Sequence, residues 1–160
     1  MEIEDDIDYD GKNFHIVYRD SDTFDDLPKD LVQQHYGVCF YGDKIVVGWH
    51  EKSRRWSLLG GKIEEGETFS ETLEREVGEE SNMRIMKQIP VGYQKVISTD
   101  GSFVYQLRST CLVEPIGAFV SDPSGSVTKM KLIDVSEWDE YIDWGRVGRR
   151  ILQRALKCWE

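Results

Sequence analysis

The sequence predicts an α/β fold in which a mixed β-sheet lies between helical layers. Two observations carry that prediction. Seven strand-like runs lie within residues 36–133, with turn signals such as Gly42-Asp43 and Asp100-Gly101 between them. Two helical patterns, about 69–81 and about 144–159, stand well apart in the chain. Strands interleaved with separated helices suit a sheet covered by helices, with hairpins added at its edges.

The elements follow in order. Eleven of the first 30 residues are acidic, which fits either an acidic extension or a hairpin. The hairpin has Ile3, Ile7 and Tyr9 before Asp10-Gly11, then Phe14, Ile16 and Tyr18 at period two. Asp-Gly is a good type I′ turn signal, so the hairpin is preferred. Residues 20–30, with Pro28, read as a loop. Tyr36–Phe40 and Ile45–Trp49 form a second hairpin, Glu51–Arg55 a charged connection, and Trp56–Leu59 a short strand entering Gly60-Gly61. Thr68 with Glu71 three residues on makes a capping box for a helix over Phe69–Ser81. Strands are expected over Arg84–Ile89, Gly92–Ser98 and Phe103–Val113, then a loop from Pro115 to Gly125 and a strand over Val127–Ile133. Trp138–Tyr141 reads as a helical turn. The last helix, about Trp144–Trp159, carries the apolar stripe Val147, Ile151, Leu152 and Ala155. No linker divides the chain, so one domain over residues 1–160 is expected, with the hairpin or extension at about 1–30.

Composition excludes several classes. A chain of 160 residues, 39% hydrophobic, can bury a core and is not compositionally disordered. The net charge of −10 argues against non-specific nucleic-acid binding. It also means that a phosphate-rich substrate is repelled unless cations screen the site. Cys39, Cys111 and Cys158 form no Cys-x-x-Cys pair, and the first two read as buried thiols. Met1–Asp6 lacks the basic start and apolar run of a signal peptide, and no apolar run is long enough to span a membrane. A reducing cytoplasm, no membrane partner, and a monomer or homodimer are expected.

The most informative segment is residues 61–83. Eight of the 17 residues from Glu64 to Glu80 are glutamate, and only Arg75 among them is basic. Like charges three or four apart on a helix each cost roughly 0.2–0.5 kcal/mol, and breaks of local rules tend to sit at functional sites. At about 100° per residue, Phe69, Leu73 and Val77 make the buried stripe, while Glu76, Glu79 and Glu80 form one fan along its edge. Glu71 and Glu74 fall on the far side. Arg75 is spaced to pair with Glu71 or Glu79. Three carboxylates on one rigid face suit Mg²⁺ or Mn²⁺, although an acidic surface helix has the same pattern. Gly60-Gly61 after a strand permits close approach of a ligand to the backbone.

The whole run resembles the Nudix box. Gly61, Glu67, Arg75, Glu76, Val77, Glu79, Glu80 and Met83 stand at the spacing of that motif. Asn82 replaces the family's glycine, which ends the helix; Asn is the next best residue for a left-handed conformation. Leu59 replaces the proline often found before the glycine pair. Gly78, mid-helix on the solvent side, costs about 1 kcal/mol against alanine and has no functional account.

The resemblance implies the family's αβα sandwich. It also implies hydrolysis, by water and divalent metal, of a nucleoside diphosphate linked to another group. On it, Glu76, Glu79 and Glu80 hold Mg²⁺ or Mn²⁺ with the Gly61 carbonyl as a further ligand, Arg75 orients a glutamate, and Glu67 braces loop and helix. Family members differ in the general base: Glu76 is preferred here, then Glu79, with Asp122 an outside candidate and Asp100 and Glu114 weaker. A marker residue 15 to 18 positions past the box is proline in the ADP-ribose group and tyrosine in the dinucleoside polyphosphate group. Here Ser98, Thr99, Asp100 and Gly101 stand there. A MutT-like (deoxy)nucleoside triphosphate pyrophosphohydrolase is the lead reading. An ADP-ribose or nucleotide-sugar pyrophosphatase is the alternative, and a non-catalytic nucleotide-binding regulator the reading from another class.

The expected small-molecule partner is therefore a nucleotide. Trp49, Phe103 and Tyr105 are the candidate stacking surfaces for its base, against core packing as the plainer reading. His15, His35 and His50 show no metal spacing. Arg146, Arg149, Arg150, Arg154 and Lys157 give the last helix a basic face, more simply solvated than phosphate-binding.

Overall fold

The computed structural model describes residues 1–160. The hairpin forms: β1 (Glu2–Tyr9) and β2 (Lys12–Asp20) pair antiparallel through Tyr9↔Lys12 around Asp10-Gly11. Both turn residues have positive φ, 53° and 75°, which is what a type I′ turn requires. β2 pairs with β7 (Met83–Ser98), and β7 with β8 (Phe103–Pro115), all antiparallel. β8 runs parallel to β3 (Val32–Tyr41), which makes the sheet mixed. The first half of β3 also pairs with β6 (Leu59–Lys62). Its end turns through Tyr41↔Lys44 into β4 (Lys44–His50), which lies between β5 (Arg55–Ser57) and β9 (Val127–Asp134).

Two expected boundaries move. The strand expected over Trp56–Leu59 is divided: β5 pairs with β4 and β6 with β3, with Leu58 fully buried between them. The two strands expected over Arg84–Ser98 are one, β7. Its ladder shifts register between Ile85 and Lys87 and again between Pro90 and Gly92, the second where Pro90 has no N–H to donate.

Helices cover both faces. α1 (Phe69–Ser81) sits on one, where Leu73 and Val77 pack with Cys39, Val46, Leu59 and Val113. Both side chains are fully buried, worth about 1.5–3 kcal/mol each. α3 (Gly145–Cys158) lies on the other, where Val147, Ile151 and Ala155 pack with Val38, Phe40, Ile45 and Val47. Alternation along β3 sends Cys39 to the α1 side and Val38 and Phe40 to the α3 side, as a strand between two layers must. The helical turn α2 (Trp138–Tyr141) leads into α3. The result is an αβα sandwich. Cys39 and Cys111 pair across β3 and β8 as free, buried thiols. No helix is long and apolar enough to cross a membrane.

Candidate active site

α1 begins and ends as its sequence dictates. Thr68 Oγ1 accepts from the Glu71 N–H, and the Glu71 carboxylate accepts from the Thr68 N–H. At the other end Asn82 is left-handed, φ 54° and ψ 39°. Its side-chain amide donates to the Ala118 carbonyl at 3.0 Å, and its own carbonyl accepts from the Ile116 N–H. Asparagine thus closes the helix as glycine does and also anchors the loop that carries Asp122, which glycine cannot do.

The helix presents its carboxylates to the Gly60-Gly61 backbone. Glu80 is 2% exposed and accepts from the Gly60 N–H at 2.9 Å. A Cβ on Gly60 would lie 2.5 Å from Tyr36 Cα, so glycine is required there by close strand packing. A Cβ on Gly61 would stand 2.5 Å from Glu76 Cδ, so the missing side chain is the space in which the Glu76 carboxylate sits.

Arg75 organises the cluster. Its Nε donates to Glu67 Oε2 at 2.7 Å, Nη1 to Glu76 Oε1 at 2.8 Å and, more weakly, to Glu79 Oε2 at 3.4 Å, and Nη2 to the Lys62 carbonyl at 3.0 Å. The expected Glu71 partner is a correction, because the capping box has already engaged that carboxylate. Glu67 also accepts from the Glu64 N–H and the Thr72 hydroxyl, so it braces loop to helix as expected. The Arg75 guanidinium, with those bonds, holds the Glu67 carboxyl down to about 2. Burial drives Glu76 the other way, up to about 7, despite Arg75 beside it. Burial likewise pushes Glu80 well above the carboxylate range, against the pull of the Gly60 N–H.

Asp122 completes the setting. It is 4% exposed; its Oδ1 accepts from the Ser124 N–H and hydroxyl, and its Oδ2 is buried with no partner. After burial, its charge adds to the raising of both Glu76 and Glu80, and its loop is tied to the end of α1 through the Asn82–Ala118 bond. The sequence signal was weak, a single acid in the run Asp122-Pro123-Ser124-Gly125.

The residues fit a hard divalent cation. Hydrogen bonds engage only Oε1 of Glu76, Oε2 of Glu79 and Oε1 of Glu80, leaving one oxygen of each without a partner. The orphaned Asp122 Oδ2 adds another oxygen donor, and oxygen donors suit Mg²⁺ or Mn²⁺. The carboxylates are not drawn into one coordination shell, since like charges repel one another.

The aromatic candidates divide. Tyr105 meets Phe103 and Tyr93 edge-on, and it packs near Phe69 at the first turn of α1. That turn lies roughly 10 Å along the helix from Glu76 and roughly 15 Å from Glu79. Trp49 packs on Trp56, which packs on Tyr141, on the α3 side of the sheet. Tyr36 lies on that side too. It pairs with Gly60, where a Cβ would lie 2.6 Å from the Tyr36 Cγ, and burial, with the Glu80 and Glu76 charges, pushes its phenol up to about 12. His35 is structural: its ring nitrogens meet the Phe69 carbonyl and the Ser109 hydroxyl. Arg150 and Arg154 of the last helix pair with Asp20 and Asp22.

The sequence matches the NUDIX domain family over residues 31–147, most of the chain. The chain belongs to the Nudix family. It is a Nudix hydrolase, acting on phosphorus-containing anhydrides. Solved structures agree in fold. A pyrophosphohydrolase from Bacillus subtilis, BsRppH, is 16% identical, with a TM-score of 0.69 over 89% of this chain and 92% of that one. The NUDIX domain of Shewanella oneidensis NrtR, complexed with ADP ribose, is 15% identical, with a TM-score of 0.64 over 85% and 96%. A Nudix hydrolase family member from Chromobacterium violaceum is 24% identical, with a TM-score of 0.54 over 82% and 80%. No curated protein matches the chain. The family match begins after the β1–β2 hairpin, an addition of this chain to the matched region. Nudix hydrolases generally use divalent metal ions.

Proposed function

We propose that this Nudix hydrolase is a Mg²⁺- or Mn²⁺-dependent (deoxy)nucleoside triphosphate pyrophosphohydrolase working in the cytoplasm. The observation that carries the metal-dependent site is the fan of Glu76, Glu79 and Glu80, each with one oxygen unengaged beside Gly60-Gly61. The residues at 98–101 carry neither the ADP-ribose nor the dinucleoside polyphosphate marker, which favours a mononucleotide.

Glu79, Glu80 and the Gly61 carbonyl would hold the cation, with Glu76 beside them. A bound divalent cation supplies charge screening at the phosphates, polarisation of phosphorus and acidification of water. Arg75 fixes the Glu76 carboxylate through Nη1 while Glu67 fixes Arg75. Glu76 takes the proton of the attacking water at its Oε2, and a carboxyl raised to about 7 is poised for that role. Asp122 Oδ2 is the second candidate for it. The base lies on the α3 side of the sheet, where Trp49 and Tyr36 are found.

Turnover across a panel of nucleotides with Mg²⁺ tests this reading. Nucleoside triphosphates should be cleaved to monophosphate and pyrophosphate, faster than ADP-ribose or a nucleotide sugar. Glu76→Gln and Glu80→Gln should each lower kcat by orders of magnitude with the fold kept. Near-normal turnover in both variants would sink the site assignment, and faster cleavage of ADP-ribose would replace the substrate.

A further inference from the structure

Arg108 is a buried charge for which the glutamate site has no use. It lies in β8 opposite Tyr36 and is 4% exposed, yet it forms no ion pair. Its oxygen partners are all neutral: the Leu107 carbonyl at 2.9 Å, Gln34 Oε1 at 3.4 Å and Gln106 Oε1 at 3.3 Å. Aromatic rings replace the missing carboxylate. The guanidinium carbon stands 4.6 Å from the Trp144 ring centroid and 5.5 Å from that of Tyr36. Burial lowers the guanidinium to about 10, as expected of a charge kept away from both water and an anion.

Counting protons shows what is left over. A guanidinium has five N–H groups. Nη1 uses two and Nη2 uses one, while Nε has no partner. Two donors are therefore unspent, Nε–H and one N–H of Nη2. An unspent buried donor costs about 1–3 kcal/mol, so an acceptor from outside the protein has a place here.

The position selects the ligand. Tyr36 pairs with Arg108 on one side and with Gly60 on the other. Arg108 is thus two strand spacings, about 10 Å, from the backbone that meets Glu80. A nucleotide whose diphosphate lies at the glutamates spans that distance with its base. Two donors on one planar group match two adjacent acceptors, and among the purines it is guanine that presents such an edge, O6 and N7.

We propose that Arg108, between Tyr36 and Trp144 and braced by Gln34 and Gln106, is the specificity-determining residue that selects guanine in the substrate. This rests on the hydrolase reading above and refines its substrate. Gln34, Gln106, Tyr36 and Trp144 are partly exposed and Arg108 is not, so the base reaches the guanidinium edge by displacing a neighbour.

Calorimetric titration of GMP, AMP, CMP and inorganic phosphate, without metal, tests the subsite apart from turnover. Wild type should bind GMP more tightly than AMP or CMP, and phosphate should bind without dependence on Arg108. Arg108→Lys keeps the charge and loses the fork; it should weaken GMP by about 10-fold and leave AMP within about twofold. Trp144→Leu, in a partly exposed loop, should weaken GMP and remains informative if Arg108→Lys does not fold. Equal binding of GMP and AMP by wild type, an unchanged GMP affinity in the variants, or Arg108-dependent phosphate binding would overturn the proposal. A wild type that binds GMP selectively but cleaves no nucleotide would sink the hydrolase reading and leave this one standing.

Discussion

Glu76 and Gly61 share one space: the carboxyl group of the first lies where a side chain on the second would begin, with Cδ 2.5 Å from that Cβ position. The colliding atoms are the far end of a flexible side chain, so alanine at 61 can be accommodated by swinging Glu76 away from Arg75. Gly61→Ala should therefore fold, with a Tm close to wild type, while kcat falls about 10- to 100-fold, since a displacement near 1 Å in a catalytic group costs about that much. Thermal melts and steady-state kinetics on the same preparation check it. Wild-type kcat would show that the Glu76 position does not matter.

Asn82 does two jobs, and two substitutions separate them. Asn82→Gly keeps the left-handed backbone and loses the bond to Ala118, a cost of about 0.5–1.5 kcal/mol. By backbone conformation alone the change would be nearly neutral; the Ala118 contact is the reason it should not be. Asn82→Val should cost more, because a β-branched residue resists φ of +54°. Denaturant unfolding would measure both, and equal stability of the two variants would contradict the ranking.

Gly78 is not required by packing. A Cβ there would meet only the Met83 carbonyl oxygen, at an ordinary 3.9 Å. Gly78→Ala should then stabilise the protein by about 0.8–1 kcal/mol through helix propensity alone, seen as a higher denaturation midpoint at unchanged slope. A lower midpoint would mean that the glycine serves a purpose outside the static packing.

The glutamate cluster should make stability depend on pH and metal together. Glu76 titrates near 7 in the folded protein and near 4.5 when unfolded. The folded state holds the extra proton, so this contribution is complete below about pH 4.5 and is lost as pH rises through 7. His35, lowered to about 4, acts in the opposite sense but is neutral in both states well above 6.5. Raising pH from 7 to 8 in a chelator should thus lower Tm. Mn²⁺ should raise Tm, and more so at pH 8, since its ligands must be deprotonated. Glu76→Gln should flatten the chelator slope and blunt the metal effect. A Tm indifferent to saturating Mn²⁺ at pH 8 would count against a cation site.

Local order was legible without coordinates. The limits of α1, its capping box, its left-handed end at Asn82 and the Asp10-Gly11 hairpin each follow from residues within a few positions of one another. Dihedral preference and hydrogen bonding between near neighbours decide such features, and both are written in the chain. The fan of Glu76, Glu79 and Glu80 is of the same kind, since helix periodicity alone sets it. The division of one expected strand into β5 and β6 was not legible, because each half answers to a different partner, β4 or β3.

What only the tertiary structure decided is which distant groups meet. Nothing near Arg75 in sequence announced Glu67 as its main partner; that depends on a competing bond removing Glu71. Asp122 was only an outside candidate in the sequence until the fold buried its Oδ2 without a partner. Arg108 was one cation in a strand until Tyr36, 72 positions earlier, and Trp144, 36 later, closed on it with no carboxylate between. The sequence by itself determined the catalytic helix, the family and the chemistry the carboxylates suit. Burial and long-range contact determined which of those groups are charged, held or left without a partner. Desolvation and Coulomb energies depend on distance in space, which separation along the chain does not record.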